Sequence, residues 1–441
     1  MARRLFGTDG VRGRAGELLT SELASSLGRA AVLHCATTRS RVLVVTDTRE
    51  SGPWLADAFA AGAASAGASV TLGGVLPTPA APLLIRAGRF DLAAVVSASH
   101  NPFEDNGIKI FGAAGLKLTD EQEDAIERHL GSQAAAEDRS AAGSIERAYD
   151  LGDVYITALL ERFGALDLSG TRVALDGAHG ATFEVAPAVF RALGAEVVVT
   201  GDAPDGRNIN AGVGSTHPEA LQRLLAGGEF DAGFAFDGDG DRLIAADSAG
   251  RVVDGDALIV LMARSLSERG ELTGAGVAVT VMSNLGLHRA LEDAGIAVAV
   301  TPVGDRHVLA ELIRRGWRLG GEQSGHIIDM DFVPTGDGIA SALLVLEALG
   351  GTALADARPM RRLPQVLVGV PVSDREAAIE DPAVQAAIND QELALAGDGR
   401  VLVRASGTEQ LIRVMAEAET DETARAACDR IAAVIASAHG A

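Results

Sequence analysis

The chain has 441 residues, of which 47% are hydrophobic, and a formal net charge of −22. This length predicts two to four domains, and the hydrophobic content excludes a globally disordered chain. The acidic balance argues against nucleic acid as a partner, because binding a phosphate backbone requires basic patches. The only two cysteines, Cys35 and Cys428, predict no disulfide framework and a reducing compartment. Because we find neither a signal peptide nor a membrane-spanning apolar run, we expect a cytoplasmic protein that does not bind membranes.

Short β-branched runs alternate with Ala- and Leu-rich runs along most of the chain, which is typical of α/β architecture. Strands are predicted at 41–47, 171–177 and 276–283. The helices that follow them are predicted at 54–66, 183–193 and 285–294, and second strands at 69–72, 196–200 and 297–301. This internal repeat predicts three tandem, related α/β domains.

The C-terminal part has a different pattern. Two antiparallel strands, 399–404 and 411–415, flank a Ser-Gly-Thr turn, and an Ala-rich helix follows at 421–437. They predict a smaller α+β domain that begins after the Arg-Arg-Leu-Pro run at 361–364. The polar stretch 120–147 predicts a helix and a flexible loop. The predicted domains are therefore 1–150, 151–253, 254–364 and 365–441.

The run Asp237-Gly-Asp239-Gly-Asp241-Arg242 follows an apolar stretch that ends a predicted strand. Glycines let the backbone bend, so the alternate carboxylates can turn toward one point, where a hard cation such as Mg²⁺ would relieve their repulsion. An EF-hand is excluded, because its Gly and Glu positions hold Arg242 and Ser248. A solvated acidic turn is the alternative interpretation.

A second polar loop, Ser97-Ala-Ser99-His100-Asn-Pro102, follows the apolar run 92–96. Chemistry in α/β proteins concentrates where strands end in loops at the sheet edge. Ser99 is therefore a candidate nucleophile or phosphate carrier. An ordinary turn rich in Ser, Asn and Pro remains an alternative.

Three glycine-containing loops complete the set of motifs. The segment from Arg404 to Arg413 carries hydroxyls, glycine N–H groups and two arginines that suit a phosphate, although a hairpin turn with surface arginines is also consistent. The loop 320–326 places Glu322 and Ser324 so that they can face sugar hydroxyls, or it is a connection with incidental polarity. The loop 6–13 lacks the spacing of a P-loop but can place Arg12 near a phosphate.

Together these motifs resemble the α-D-phosphohexomutase superfamily and, within it, the bacterial phosphoglucosamine mutases of cell-wall precursor synthesis. F-G-T-D-G-V-R-G, S-A-S-H-N-P, D-G-D-G-D-R, G-E-Q-S-G-H and R-A-S-G-T-E occur in the family's order along essentially the whole chain. The resemblance implies the domain arrangement predicted above, placed around a central cleft. Gln410 departs from the family pattern, in which many members have Pro. Because Pro would stiffen the turn, the loop between Arg404 and Arg413 is expected to be less rigid here.

The resemblance also implies a role for each matching residue. Ser99 would be the phosphoserine, and Asp237, Asp239 and Asp241 would bind Mg²⁺ together with an oxygen on Ser99. The other expected catalytic residues are His100, Arg12 and Lys109, without a choice between Arg12 and Lys109 as the acid or base. The expected substrate-binding residues are Arg242, Glu322, Ser324, His326, Arg404, Ser406, Gly407, Thr408 and Arg413.

The implied reaction interconverts glucosamine 6-phosphate and glucosamine 1-phosphate through a phosphoserine enzyme and glucosamine 1,6-bisphosphate. An activating kinase or autophosphorylation would supply the first phosphate, and the implied oligomeric state is a monomer or homodimer. Ser97 favours the glucosamine branch. A glucose or mannose phosphate as substrate, or a non-catalytic protein that binds sugar phosphates, are the alternatives.

Overall fold

The computed structural model describes residues 5–7, 9–36, 39–131, 143–406 and 409–440. Contacts divide the chain into two compact units. The first unit comprises residues 1–281 and 296–358, and the second comprises 282–295 and 359–441. None of the described helices has the length and apolarity that crossing a membrane requires.

The first region of the chain folds into a mixed sheet with helices. Its elements are β1 (Val11–Arg14), α1 (Ser21–Cys35), β2 (Arg41–Thr46), α2 (Gly52–Ser65), β3 (Ser69–Val75), α3 (Ala80–Arg86), β4 (Leu92–Val96), β5 (Asp105–Phe111), α4 (Asp120–Gly131) and β6 (Ser144–Arg147). The strand order is β1-β5-β4-β2-β3-β6. Strands β4, β2, β3 and β6 are parallel, whereas β5 is antiparallel to both of its neighbours.

The second region repeats this plan. Its elements are α5 (Leu151–Phe163), β7 (Arg172–Asp176), α6 (Val185–Ala192), β8 (Glu196–Thr200), α7 (Glu219–Ala226), β9 (Ala232–Phe236), β10 (Leu243–Ala246) and β11 (Val252–Val253). The strand order is β11-β10-β9-β7-β8. Strands β9, β7 and β8 are parallel, and β10 is antiparallel to β9.

The third region has a smaller sheet. Its elements are α8 (Gly255–Glu268), β12 (Gly276–Thr280), α9 (Leu285–Asp293), β13 (Ala297–Thr301), α10 (Asp305–Arg315), β14 (Leu319–Gly321), β15 (Ile327–Asp329), α11 (Gly338–Leu349) and α12 (Leu354–Ala357). The strand order is β13-β12-β14-β15, with only β15 antiparallel to its neighbour. Helix α9 falls within the second compact unit.

The C-terminal region contains an antiparallel sheet of order β16-β18-β17. Its elements are β16 (Gln365–Pro371), α13 (Arg375–Glu380), α14 (Pro382–Leu395), β17 (Arg400–Ala405), β18 (Leu411–Glu417) and α15 (Asp421–His439). Buried Glu417 joins this sheet to the start of α9, because its carboxylate accepts hydrogen bonds from the Leu285 N–H at 2.8 Å and from Arg400 Nε at 2.8 Å.

The predicted fold class, three related α/β units with mixed sheets followed by a smaller α+β unit, is confirmed. Several strands were not predicted: β1, β5, β10, β11, β14 and β15, together with the edge strands β6 and β16. Strand β16 contains Gly369 and ends at Pro371, and both residues weaken a strand pattern. Strand β6 lies where only a helix and a loop were expected, and its residues are all exposed, so it carries no apolar alternation. Residues 132–142 of that expected loop lie outside the described residues.

The three α/β sheets place one kind of loop in the same position. In each sheet the first strand of the repeat lies between the second and the third, and a fourth strand runs antiparallel to the third. The loop between the third and fourth strands contains Ser99 after β4, the three aspartates after β9 and Glu322 after β14. The repeat therefore explains why three different motifs all lie at the end of a buried strand.

A buried carboxyl group caps helix α11. Asp337 accepts hydrogen bonds from the Ala340 N–H at 2.9 Å and from the Tyr155 hydroxyl at 2.8 Å. Burial raises the pKa of Asp337 from 3.8 to about 6, although both hydrogen bonds act to lower it. Because the pKa is raised by folding, the protonated form stabilises the fold. Its contribution is fully present below pH 3.8 and is lost as the pH rises through about 6.

We expect Asp337→Asn to stabilise the protein at pH 8, by about 1–3 kcal/mol, and to have little effect near pH 4. The amide oxygen can still cap the helix, and the amide nitrogen can donate to the Tyr155 oxygen. Melting temperatures of both proteins across this pH range test the expectation. Asp374→Asn, the same change at the exposed N-cap of α13, is the matched control. A shift of equal size at both pH values would contradict the role of burial.

Candidate active site

Ser99 lies directly beyond β4, a strand whose residues are all buried. Its φ angle is +55° and it is 1% exposed. A non-glycine residue in this left-handed region is held at a cost of about 1–2 kcal/mol, so the surrounding contacts must maintain the turn. The Oγ atom donates a hydrogen bond to Oδ2 of Asp237 and lies 3.2 Å from Nδ1 of His100. The structure therefore brings the predicted phosphate carrier against the predicted metal loop.

The three aspartates of that loop converge. Asp237, Asp239 and Asp241 are buried, and one carboxylate oxygen of each lies within 4.8 Å of the other two. The Oδ1 atoms of Asp239 and Asp241 are buried without a hydrogen-bond partner among the described residues. Such oxygens are unfavourable unless a donor or a cation satisfies them. Three converging carboxylates, two of which have a buried oxygen without a partner, fit Mg²⁺, which prefers oxygen ligands.

Steric constraints require glycine at position 238, between the first two aspartates. A Cβ atom on Gly238 would lie 2.5 Å from the carbonyl oxygen of Ser99 and 2.8 Å from Nδ2 of Asn210. Any side chain at this position would therefore push the aspartate loop away from the serine loop. The alternation of Asp and Gly in the sequence is explained by this close approach of two backbones.

Electrostatics distinguish the aspartates. Burial raises the pKa of Asp237 well above its ordinary value, and the carboxylates of Asp241 and Asp239 raise it further. Burial also acts to raise the pKa of Asp241, but the electrostatic effect of neighbouring groups, above all the positive charge of Lys109, outweighs it and lowers that pKa to about 2. Near Asp237, the positive groups of the protein do not fully neutralise the negative charge of the aspartate loop. This is consistent with a cation site.

Lys109 reaches this cluster from β5. Its Nζ atom lies 2.7 Å from Oδ2 of Asp239, 3.0 Å from Oδ2 of Asp241 and 3.0 Å from Oδ2 of Asp9. Burial acts to lower the pKa of Lys109, but these three carboxylates raise it well above its ordinary value. The side chain is therefore an ammonium group buried beside the aspartate loop.

Two arginines complete the cationic part of the site. Arg12 stands opposite Gly107 in the pairing of β1 with β5, which brings its guanidinium into an ion pair with Asp9. The backbone N–H of Arg242 donates a hydrogen bond to Oδ1 of Asp237 at 3.1 Å. The Nε atoms of both arginines are buried and lack hydrogen-bond partners within the described residues. Unused donors on buried cations suit an anionic ligand.

His100 is largely buried beside these arginines. Burial lowers its pKa to about 4, and the nearby charges of Arg242 and Arg12 act in the same direction. The imidazole is therefore neutral at neutral pH, with Nδ1 facing the Ser99 hydroxyl.

The predicted sugar loop is the turn of the β14–β15 hairpin. Glu322 accepts a hydrogen bond from the Gly304 N–H at 3.1 Å, and Ser324 is exposed. The Nε2 atom of His326 accepts from the Gly336 N–H at 3.2 Å, while its Nδ1 is buried without a partner among the residues described. Because the Leu243 N–H donates to the Gly325 carbonyl at 3.0 Å, the loop packs directly against the strand that follows Arg242.

The arginines of the C-terminal unit face each other. Arg404 and Arg413 are directly paired across β17 and β18. Burial lowers the pKa of Arg404, and the charge of Arg413 lowers it further. The Nε atom of Arg404 is buried and has no partner in the described part of the chain. Like charges placed opposite each other destabilise a sheet. The Glu409 carboxylate, 3.0 Å from Nη2 of Arg413, offsets part of this repulsion. Ser406 follows this pair, whereas Gly407 and Thr408 lie outside the described residues.

Several residues around the loops were not predicted. Thr78 donates to Oδ2 of Asp239 at 2.5 Å, and Lys117 contacts Asp9 at 2.5 Å and also Asp305. Buried Arg49 and Asn210 contact the Ser99 loop. Arg49 had a usable signal, since it follows a predicted strand in Thr46-Asp-Thr-Arg49, whereas Lys117 and Asn210 had none.

Comparison with known protein families shows which family this chain belongs to. Four models described as phosphoglucomutase/phosphomannomutase match the chain: alpha/beta/alpha domain I at residues 3–137, domain II at 153–250, domain III at 254–363 and the C-terminal domain at 367–434. The chain belongs to the phosphoglucomutase/phosphomannomutase family. This family consists of Mg²⁺-dependent phosphohexomutases, and phosphosugar substrates and the buried aspartate loop fit that membership.

Individual members of the phosphoglucomutase/phosphomannomutase family are similar over nearly the full length. The phosphoglucosamine mutase of Desulforudis audaxviator is 50% identical and the alignment covers 95% of this chain and 94% of that protein. The phosphoglucosamine mutase of Geobacillus kaustophilus is 47% identical, with 98% of each chain covered. A crystal structure of a phosphoglucomutase/phosphomannomutase family protein from Burkholderia thailandensis is 25% identical, covers 99% and 98% of the two chains, and has a TM-score of 0.80.

Proposed function

We propose that this protein interconverts glucosamine 6-phosphate and glucosamine 1-phosphate by two phosphoryl transfers through phospho-Ser99. The observation that carries the proposal is the buried hydrogen bond from Ser99 Oγ to Asp237, beside Asp239 and Asp241, each of which retains an oxygen without a partner among the described residues. A hydroxyl in this position lies where a cation and a phosphoryl group can meet. The choice of glucosamine is supported by the activity named for the relatives with about half of their residues in common.

Asp237, Asp239 and Asp241 would hold Mg²⁺ together with an oxygen on Ser99. When bound, Mg²⁺ supplies positive charge that offsets the negative charge developing on the serine oxygen. Thr78 and Lys109 hold Asp239 through its Oδ2 atom, which leaves Oδ1 available as a ligand.

In the first transfer, the bond between phosphorus and Ser99 Oγ breaks while a bond to O1 of glucosamine 6-phosphate forms. The O1 hydroxyl loses its proton, and Ser99 Oγ is restored to a hydroxyl. Lys109, Arg12 and Arg242 surround the loops with positive charge, which stabilises the phosphoryl oxygens during transfer. Neutral His100 lies within reach of Oγ and can exchange a hydrogen bond with it.

In the second transfer, the 1,6-bisphosphate has turned end for end and its C6 phosphoryl group passes to Ser99. The O6–phosphorus bond breaks as the Oγ–phosphorus bond re-forms, Ser99 Oγ loses its proton and O6 gains one, and glucosamine 1-phosphate is the product. A sugar site used in two orientations favours few, hydroxyl-directed contacts. Glu322, Ser324 and His326 supply a carboxylate, a hydroxyl and an imidazole N–H for that purpose.

Arg404 and Arg413 would grip the phosphate that does not react, with Ser406, Gly407 and Thr408 contributing to the same site. We therefore expect Arg413→Ala to raise KM more than it lowers kcat, because the lost contact is shared by ground and transition states. A charge-assisted contact contributes about 1.5–3 kcal/mol, which corresponds to about a 10- to 100-fold change in affinity. Some loss of kcat is expected as well, since substrate binding often closes loops or domains over an active site before the reaction.

Steady-state kinetics with glucosamine 6-phosphate at saturating Mg²⁺ test this division of roles. Arg425→Ala removes an exposed arginine from α15 in the same unit and is the matched control. An unchanged KM beside a collapsed kcat would place Arg413 at the reacting phosphoryl group instead.

The function itself is tested by measuring rates with glucosamine, glucose and mannose 6-phosphates side by side. We expect the highest kcat/KM for the glucosamine compound. A preference for glucose or mannose phosphate would reassign the substrate within the family, and no turnover of any of the three would reject the mutase activity.

The first phosphate on Ser99 would come from a kinase or from autophosphorylation. A cytoplasmic location is supported by the two free cysteines, since a reducing compartment preserves thiols. The protein would act as a monomer or homodimer, which size-exclusion chromatography with light scattering would distinguish.

A further inference from the structure

The turn that carries Ser99 is fixed through its backbone. The carbonyl oxygens of Ser99 and Asn101 both accept hydrogen bonds from Nη2 of Arg49, at 3.1 and 2.6 Å. Arg49 has no exposed side-chain surface, and its Nη1 forms an ion pair with buried Asp47. A charged donor placed in the interior in this way has little freedom to move, so it supports the turn from one side.

Asn210 supports the same two carbonyl groups from the other side. Its Nδ2 atom donates to Ser99 O at 2.9 Å and to Asn101 O at 3.1 Å. Asn210 is 6% exposed and belongs to the loop between β8 and α7, which is more than a hundred positions away in the chain. The two supporting residues therefore come from the first and the second α/β regions.

The hydrogens on Arg49 Nη2 and Asn210 Nδ2 match the lone pairs of the two carbonyl oxygens in number. Each of the two nitrogen atoms carries two hydrogens, and each carbonyl oxygen has two lone pairs. Four hydrogen bonds use all of them. We call Arg49, Asn210 and the carbonyl groups of Ser99 and Asn101 the carbonyl clamp. Because both hydrogens on Arg49 Nη2 and both on Asn210 Nδ2 are directed at these two oxygens, the clamp defines the direction of both carbonyl groups and thereby the left-handed turn at Ser99.

We propose that Arg49 and Asn210 are positioning residues that hold Ser99 Oγ in the geometry for phosphoryl transfer. The inference rests on the proposed function of Ser99 as the phosphate carrier. Neither residue makes a described hydrogen bond to Lys109, the sugar loop or the arginines that we propose bind the non-reacting phosphate. Loss of the clamp should therefore slow the transfer without weakening substrate binding, since a small displacement of a reacting group is enough to slow a reaction about 100-fold.

Asn210→Asp gives the sharpest test. The carboxylate has the shape of the amide, but it has no hydrogens to donate and it repels both carbonyl groups. We would mix the full-length protein with Mg²⁺ and glucosamine 1,6-bisphosphate and follow phospho-Ser99 by intact mass, as a gain of about 80 Da. We expect the rate of this gain and kcat to fall at least about 10-fold, with KM changed by less than about 2-fold.

Two further variants separate positioning from folding. Asn208→Asp makes the same change in the same loop, but Asn208 donates to the Ala203 carbonyl and not to the clamp, so its rate should match the wild type. Arg49→Lys keeps a positive charge near Asp47 while losing the planar fork, and an intermediate loss is expected. Melting temperatures of all variants are compared alongside. If Arg49→Lys does not fold, the comparison of Asn208→Asp with Asn210→Asp still tests the proposal.

The outcomes are distinct. Phosphorylation of Asn210→Asp at the wild-type rate, or an equal loss in Asn208→Asp, would overturn the clamp. If the wild-type protein gained no phosphate from the bisphosphate, the proposed function would fail and the clamp with it. A slower rate in Asn210→Asp alone, with KM preserved, supports the clamp.

Discussion

Ser99→Ala should reduce mutase turnover more than about 1,000-fold, because it removes the hydroxyl that we propose carries the transferred phosphoryl group. The Ser99 hydroxyl donates to Asp237 of the aspartate loop, and the residue is nearly inaccessible to solvent. Alanine fits the space without disturbing the backbone hydrogen bonds of the turn. The folded protein should therefore remain, with its substrate-binding residues intact and its chemistry lost.

The measurement is kcat with glucosamine 6-phosphate, together with intact mass after incubation with the bisphosphate. Ser97→Ala is the comparison variant. The Ser97 hydroxyl accepts from the Ser99 N–H at 3.0 Å and donates to buried Asp47, so its loss should be milder, with a change in substrate preference as a further result to examine. More than a few per cent of wild-type turnover in Ser99→Ala would reject the phosphoserine role. Equal losses at both serines would leave the mass measurement to identify the carrier.

Asp239→Asn should weaken Mg²⁺ binding about 10- to 100-fold and lower turnover in parallel. The amide can place its oxygen where Thr78 and Lys109 donate, which preserves the loop. Its nitrogen then occupies the position of Oδ1, the buried oxygen that has no partner among the described residues. The variant thus removes one ligand atom and one negative charge with little change in shape.

Isothermal titration with Mg²⁺ is the direct readout, and it does not depend on activity. Asp247→Asn is the matched control, because Asp247 is buried in the same region but pairs with Arg251 at 2.7 Å instead of facing the metal loop. Wild-type turnover should also disappear in a chelator and return when Mg²⁺ is restored. Unchanged affinity and activity in Asp239→Asn would show that the loop is an ordinary acidic turn.

The sequence alone predicted the repeated α/β plan and the loops that contain the candidate chemistry. Both are local properties of the chain. A run such as Leu92–Val96 forms a buried strand because of its own apolar residues, and the alternation of Asp and Gly after β9 is visible in five consecutive positions. Motif order then pointed to the family, which the matches to all four of its domains confirm.

The tertiary structure alone decided which distant residues meet these loops. Asn210 reaches the Ser99 loop across 111 positions, and Thr78 reaches Asp239 across 161, and neither pairing has a local signature. The unpredicted strands β6 and β16 are edge strands, whose exposed or Gly- and Pro-containing sequences lack a strong pattern. One physical reason explains why neither these distant hydrogen bonds nor these edge strands could be predicted. Side-chain periodicity reports burial along one segment, whereas hydrogen bonds between segments depend on how the finished sheets pack.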